Sequence, residues 1–201
     1  MFLEKVIVGE LLTNCYIFGT DKEVIVIDPG DEGTKIENII NRFNLKVSAI
    51  VLTHGHFDHI MAAHFLKNRF KTKIIANINE KELLNNPRLN LSRHIGDEIS
   101  IEADIYLNDG EFIDIDDFKL NVIHTPGHTF GSMCLLYDNK ILFSGDTIFK
   151  DTYGRTDLPT GNDDSIINSI KTKILTLNKD ITIYPGHGFS TTIRDEISNY
   201  I

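Results

Sequence analysis

Seven residues, Thr53-His54-Gly55-His56-Phe57-Asp58-His59, constrain this chain more than any other stretch. Ahead of them runs Val47-Ser48-Ala49-Ile50-Val51-Leu52, which reads as a buried strand. Behind them, Ile60 to Phe70 reads as a helix. The polar cluster therefore sits on a strand-to-helix turn, the place where α/β folds build binding sites. Imidazole is the commonest neutral metal ligand, and carboxylate is a hard one. Alternate residues of an extended segment point the same way, so His54 and His56 can share one ion. Asp58 and His59 follow later on the turn, point elsewhere, and suit a second ion close by. Chance explains one histidine in a loop, not four ligand-type residues in six positions behind a buried strand.

Around this turn the chain alternates strands and helices. Val6–Val8 and Cys15–Phe18 read as a hairpin, and Val24–Ile27 as a third strand ending in Asp28-Pro29-Gly30-Asp31. Ile36, Ile39, Ile40 and Phe43 have helical spacing, which predicts an amphipathic helix over Thr34 to Asn44. Lys73–Ala76 reads as a strand and Glu80–Asn85 as a short helix; Pro87–Ile101 reads as a surface excursion and candidate substrate rim within the irregular stretch 77–105. Strands return at Phe112–Ile115, Lys119–Ile123, Cys134–Tyr137 and Ile141–Phe143, the last two joined by a hairpin turn at Tyr137–Lys140. Asp163–Leu177 reads as a helix, Ile181–Tyr184 as a strand and Thr191–Tyr200 as a closing helix. A two-sheet α/β core with helices outside, a four-layer αββα sandwich, accounts for this order. With 201 residues and no Gly/Ser/Pro linker, one domain over 1–201 is expected.

Three further strand-end turns each offer one ligand-type residue beside a glycine: Thr125-Pro126-Gly127-His128-Thr129, Ser144-Gly145-Asp146-Thr147 and Pro185-Gly186-His187-Gly188. Glycine lets a backbone turn tightly under a metal and aim one ligand inward. His64 falls within a helix and reads as a packing or solvated residue, His94 as a residue of the irregular rim, and His124 as a strand-end residue. Asp28 reads either as a partner orienting a ligand histidine or as the cap of an Asp-Pro-Gly turn. Arg155 and Asp157 are expected to pair and brace their loop, and Tyr153 is a rim candidate.

The four motifs THGHFDH, PGHT, SGDT and PGHG, in this order and spacing, resemble those of the metallo-β-lactamase fold superfamily across nearly the whole chain. More closely, Asn86-Pro87-Arg88-Leu89-Asn90-Leu91-Ser92 and Gly154-Arg155-Thr156-Asp157-Leu158-Pro159 look like the compact bacterial glyoxalase II-like (hydroxyacylglutathione hydrolase-like) enzymes. The resemblance implies that His54, His56 and His128 hold one divalent ion, that Asp58, His59 and His187 hold a second, and that Asp146 bridges them. It implies two ions, zinc first, with iron or manganese as alternatives. It also implies that a bridging water, activated by the ions, attacks the carbonyl of a thioester such as S-D-lactoylglutathione, with Asp58 taking its proton.

Two departures bear on the substrate. Glyoxalase II carries a C-terminal helical domain with basic contacts to glutathione, whereas this sequence runs 14 residues past His187, so recognition is expected from the rim. Ile60-Met61-Ala62 stands where the family commonly has glycines, which predicts a changed pocket wall and unchanged ligation. The rival within the superfamily is a persulfide dioxygenase holding one iron through His54, His128 and Asp146. Its late motif is usually Tyr-Pro-Ala-His-Asp; Tyr184-Pro185-Gly186-His187-Gly188 favours the hydrolase.

Charge and cysteine usage narrow the partners. A net charge of −9 argues against nucleic acid or anionic membrane, and against a nuclease of this fold. No apolar run of about 18 residues is present, and no leader with a basic start is evident. Cys15 and Cys134 lie in apolar stretches and read as buried free thiols. A cytoplasmic enzyme with a small-molecule thioester partner is expected; a periplasmic β-lactamase, a lactonase or a non-enzymatic binding module fits less well.

Overall fold

Successive side chains of the strands divide between two cores, which makes the protein a sandwich. The structure, a computed structural model, describes residues 1–115 and 118–200; the last residue of the expected 1–201 unit, and two within it, lie outside the described residues. In the first half, β1 (Phe2–Val8), β2 (Thr13–Gly19), β3 (Glu23–Ile27), β4 (Lys46–Val51), β5 (Lys73–Asn77) and β6 (Ile105–Leu107) form one sheet in that spatial order. β1 to β3 pair antiparallel, and β3 to β6 pair parallel. Parallel neighbours need crossovers, and these carry α1 (Gly33–Arg42), α2 (Phe57–Ile60), α3 (Ala63–Phe70) and α4 (Lys81–Asn85).

The second half adds β7 (Phe112–Ile115), β8 (Phe118–His124), β9 (Met133–Tyr137), β10 (Ile141–Gly145), a small hairpin of β11 (Ile148–Phe149) and β12 (Thr152–Tyr153), α5 (Asp163–Ser169), β13 (Thr182–Pro185), β14 (Thr191–Thr192) and α6 (Ile193–Glu196). Its sheet has the order β14-β13-β10-β9-β8-β7. The turn between β9 and β10 holds Asp138 at φ 48° and Asn139 at φ 49°, the left-handed pair that closes a two-residue hairpin.

Tyr16, Phe18, Ile25, Ile27 and Val51 of the first sheet meet Leu120, Val122, Met133, Leu135 and Phe143 of the second in the central core. Their neighbours Cys15, Ile17, Val24 and Val26 point the other way, under Ile36 and Ile40 of α1 and Ala63 and Leu66 of α3. On the far side, Cys134, Leu136, Leu142 and Ile183 pack under Ile166, Ile170, Ile174 and Ile193. The layers are therefore helix, sheet, sheet, helix, as expected. Both cysteines are buried and free.

Three elements differ from the sequence reading. The helix expected from Ile60 begins earlier: α2 spans Phe57–Ile60, and α3 follows after a break at Met61-Ala62. Asp58 and His59 are thus helical residues. The expected helix Asp163–Leu177 is α5 followed by a π-helical turn, Ile170–Ile174, whose looser winding keeps Ile170 and Ile174 both buried. The expected closing helix Thr191–Tyr200 starts as β14, because Thr191 and Thr192 pair with Ile183 and Thr182; α6 and a short 3-10 turn follow. Among the described residues no helix is long and apolar enough to cross a membrane.

Topology decides where the loops meet. β4, β8, β10 and β13 all end at one edge of the sandwich, and they deliver His54, His128, Asp146 and His187 there. The start of β2 closes that edge: Thr13 bridges to His187, and Asn14 N donates to Gly186 O at 2.7 Å. The Asn14 side chain donates to Pro185 O at 2.9 Å and the Tyr16 hydroxyl to the same carbonyl at 2.7 Å.

Candidate metal centre

Four imidazoles at this edge, three of them buried, have one ring nitrogen facing a protein oxygen, which leaves the other nitrogen facing the cavity. Thr53 Oγ1 donates to Asp28 Oδ2 at 2.6 Å, so it receives the proton of His54 Nδ1 at 3.2 Å. His128 Nδ1 donates to Arg155 O at 2.7 Å, His59 Nδ1 to Asp28 Oδ2 at 3.0 Å and the partly exposed His187 Nδ1 to Leu11 O at 3.1 Å. Each Nε2 then presents a lone pair inward, the tautomer a metal ligand requires.

These lone pairs converge in two groups. His128 Nε2 lies 2.9 Å from His56 Nδ1 and 3.2 Å from His54 Nε2. His59 Nε2 lies 3.3 Å from His187 Nε2 and 3.4 Å from Asp58 Oδ2, which is itself 3.2 Å from His187 Nε2. Between the groups stands Asp146, with Oδ1 3.4 Å from His59 Nε2, and Oδ2 3.6 Å from both His128 Nε2 and His187 Nε2. Asp146 Oδ1 is buried with no hydrogen-bond partner. Unprotonated nitrogens turned on one another beside an unpartnered carboxylate oxygen are unfavourable unless a cation sits among them. The residues therefore fit divalent ions: His54, His56 and His128 could hold one, and Asp58, His59 and His187 another. Asp28 also lies near His54 and His59, and its oxygens accept from Thr53 N, Thr53 Oγ1 and His59 Nδ1. It orients the ring of His59 through Nδ1, the nitrogen turned away from the cavity.

The electrostatics point the same way. Burial, and then the neighbouring imidazoles, push His54 well below the usual histidine range, and burial with His128 pushes His56 down to about 3. Burial also opposes a charge on His59, yet Asp58, Asp146 and Asp28 outweigh it and raise its pKa to about 10 while no ion is bound; a divalent cation at Nε2 would take the place of that proton. Burial would raise Asp58, but His59 and His187 dominate and keep it far below the usual carboxylate range. One side of the centre rejects protons and offers neutral nitrogens; the other gathers carboxylates that demand a cation.

The close approach depends on small residues. A Cβ on Gly186 would stand 2.1 Å from Asp146 Oδ1 and 2.8 Å from His59 Cε1. Only hydrogen fits between the β13 turn and the carboxylate.

Of the other residues read from the sequence, Arg155 and Asp157 pair through two bonds of 2.7 Å, and Arg155 lowers the Asp157 carboxyl to about 2. The brace is as expected. Tyr153, expected at the rim, instead donates to Asp163 Oδ1 at 3.2 Å and packs beside Tyr200. The excursion after Pro87 is less external than expected: Asn90 and Ser92 are fully buried, and Asn90 O accepts from Phe57 N at 2.9 Å. It thereby holds the start of α2. His94 is exposed, and His124 bonds Phe130 O at 2.8 Å. His64 sits exposed on α3. His64→Gln is therefore expected to leave metal content and turnover within about twofold of wild type, checked by elemental analysis and steady-state assay; a large loss of either would contradict this placement.

Sequence reading missed several supports. Leu11 O and Arg155 O orient histidines through backbone carbonyls, which carry no sequence signal. Thr13 Oγ1 donates to Asp58 Oδ2 at 3.0 Å. Glu80 is 1% exposed and makes three hydrogen bonds near the centre. A lone Glu after an apolar strand looks like an ordinary surface residue.

The ligand-type residues open on a cavity of about 450 Å³, whose apolar wall is Leu11, Phe57, Leu91, Phe149 and Leu158. Arg155 is the cation on its rim. A deep polar floor under an apolar mouth suits a small organic molecule with one reactive polar group.

Residues 8–187 match the family model of the metallo-beta-lactamase superfamily, and the chain belongs to that superfamily. Among curated proteins it is 36% identical to the hydroxyacylglutathione hydrolase GloC of Haemophilus influenzae, over 98% of this chain and 95% of that protein. Among solved structures it resembles the BLEG-1 B3 metallo-beta-lactamase, with a TM-score of 0.92 and 36% identity over 98% of this chain and 97% of that one. It also resembles TTHA1623, solved in a di-iron-bound form, with a TM-score of 0.85 and 29% identity over 96% of each chain. The superfamily supports a metal-dependent hydrolase.

Proposed function

We propose that this protein is a cytoplasmic, two-metal thioester hydrolase acting on compounds such as S-D-lactoylglutathione, with zinc as the first expectation for both ions. The observation that carries the reading is the position of Asp146 between two complete trios, His54–His56–His128 and Asp58–His59–His187. Bound there, divalent ions would lower the pKa of a water from about 15.7 toward 7 and polarise a carbonyl.

The chain's own groups do the rest. Asp58, ionised and steadied by Thr13 Oγ1, is placed to accept a proton from the attacking water. Phe57, Leu91 and Phe149 shield the reacting centre from bulk water and hold an acyl group. A thiolate leaves without needing a general acid, and among the described residues no candidate acid lines the cavity apart from the ligand-type residues. Similarity to a named hydroxyacylglutathione hydrolase supports this substrate class. The net charge of −9 and the two free buried thiols support a small-molecule partner in a reducing compartment.

The test is a substrate panel run on protein whose metal content is measured in the same sample. Two equivalents of divalent metal and hydrolysis of S-D-lactoylglutathione, lost on chelation and restored by zinc, are expected. One iron with oxygen uptake on glutathione persulfide would replace this reading with the dioxygenase. A β-lactam belongs in the panel because a 36% identical structure carries that name; faster turnover of it than of any thioester would also overturn the proposal.

A further inference from the structure

We infer that Glu80 is a positioning residue: it clamps the loop bearing His54 and His56 to the loop bearing His128, so that three imidazoles from two sheets meet at one point. The inference rests on reading that trio as a metal position. Glu80 closes a 3-10 turn, Ile78–Glu80, directly after β5. Its Oε1 accepts from Gly55 N at 2.8 Å, between the two histidines of the first sheet. Its Oε2 accepts from Gly131 N at 2.8 Å and from Thr129 Oγ1 at 3.1 Å, beside the histidine of the second sheet. One carboxylate thus spans both loops with one oxygen each.

Three features set this apart from an ordinary buried glutamate. Every partner is neutral, so no ion pair compensates its burial. Burial pushes its carboxyl up to about 7 even against the three hydrogen bonds, which shows how unfavourable a charge is there. The partner loop is also shaped to admit it, since a Cβ on Gly131 would lie 2.3 Å from Glu80 Oε2 and 2.4 Å from Glu80 N. Both oxygens must accept. Glutamine has nearly the same shape but only one acceptor oxygen, and its amide hydrogens would face a backbone N–H on the other side. Glu80→Gln therefore releases one loop while filling the same space.

The experiment titrates metal-free wild type and Glu80→Gln with zinc against a chelating dye, and records the visible spectrum of the cobalt-loaded forms. His128→Gln and His187→Gln mark which binding step belongs to which trio. Glu80→Gln is expected to weaken the step that His128→Gln removes by about 10- to 100-fold, and to alter its cobalt spectrum. The step that His187→Gln removes stays within about threefold of wild type. Thr129→Val, which removes the hydroxyl partner of Glu80 together with its 2.7 Å contact to Ser132 Oγ, is expected to shift the same step by about two- to tenfold, with Ser132→Ala as the control that leaves the Glu80 bond in place, and carries the test if Glu80→Gln does not fold. Unchanged affinities, or equal weakening of both steps, would overturn the positioning role. Wild type that takes up no zinc would instead refute the metal reading on which it stands.

Discussion

On the proposed reading of a two-metal thioesterase, Asp146→Asn is expected to lose one or both ions and to cut thioester turnover by at least about 100-fold. Among the described residues, Asp146 is the carboxylate whose oxygens lie within 3.6 Å of ring nitrogens of both trios. Asparagine keeps the volume but removes the negative charge that draws cations together. It also turns amide hydrogens toward atoms that need a cation. The fold should tolerate the change, because Asp146 Oδ1 makes no hydrogen bond that folding depends on. Elemental analysis, activity and a thermal melt of the metal-free protein check the three parts. Near-wild-type metal content with near-wild-type turnover would refute the bridging role.

The second large effect separates two substitutions at Asp28. This residue is 2% exposed, sits at φ 50°, and accepts from Thr53 N, Thr53 Oγ1 and His59 Nδ1. Alanine leaves three buried donors without acceptors, each costing about 1–3 kcal/mol. It also puts a residue without a local hydrogen-bonding side chain into the left-handed region, at about 1–2 kcal/mol. At about 2–4 °C per kcal/mol for a chain of this size, Asp28→Ala is expected to melt at least about 8 °C lower. Asparagine tolerates the backbone and keeps one acceptor. Its amide group toward His59 would favour the tautomer with the proton on Nε2, aimed into the centre. Asp28→Asn is therefore expected to fold, but to bind metal at the Asp58–His59–His187 trio about 10- to 100-fold more weakly. A melt of Asp28→Ala that matches wild type would show the network to be dispensable.

The layering was legible because β-strands alternate. Cys15-Tyr16-Ile17-Phe18 is apolar at every position, which only a strand buried on both faces permits, and its side chains do divide between two cores. Boundaries were less legible. Nothing local announces that α2 starts at Phe57: His56, its capping residue, makes no side-chain cap, and the helix is held through Phe57 N to Asn90 O, from a segment more than thirty residues away. Thr191 and Thr192 became a strand for the same reason, since the partner β13 offered an unpaired edge. Such choices belong to tertiary contacts, not to propensity.

By itself the sequence determined the seven ligand-type residues, their grouping on glycine turns at strand ends, and a fold able to bring such turns to one edge. Chemistry made this possible: imidazole and carboxylate side chains cannot be placed so densely beside buried strands unless something polar holds them. Only the tertiary structure decided which nitrogen of each ring faces inward, because that depends on oxygens remote in sequence: Leu11 O for His187, Arg155 O for His128 and the Asp28 carboxylate for His59. It also decided the support that Asp28 gives, accepting from Thr53 N, Thr53 Oγ1 and His59 Nδ1. Glu80 owes its place entirely to the fold, where one carboxylate reaches two loops that lie some seventy residues apart along the chain.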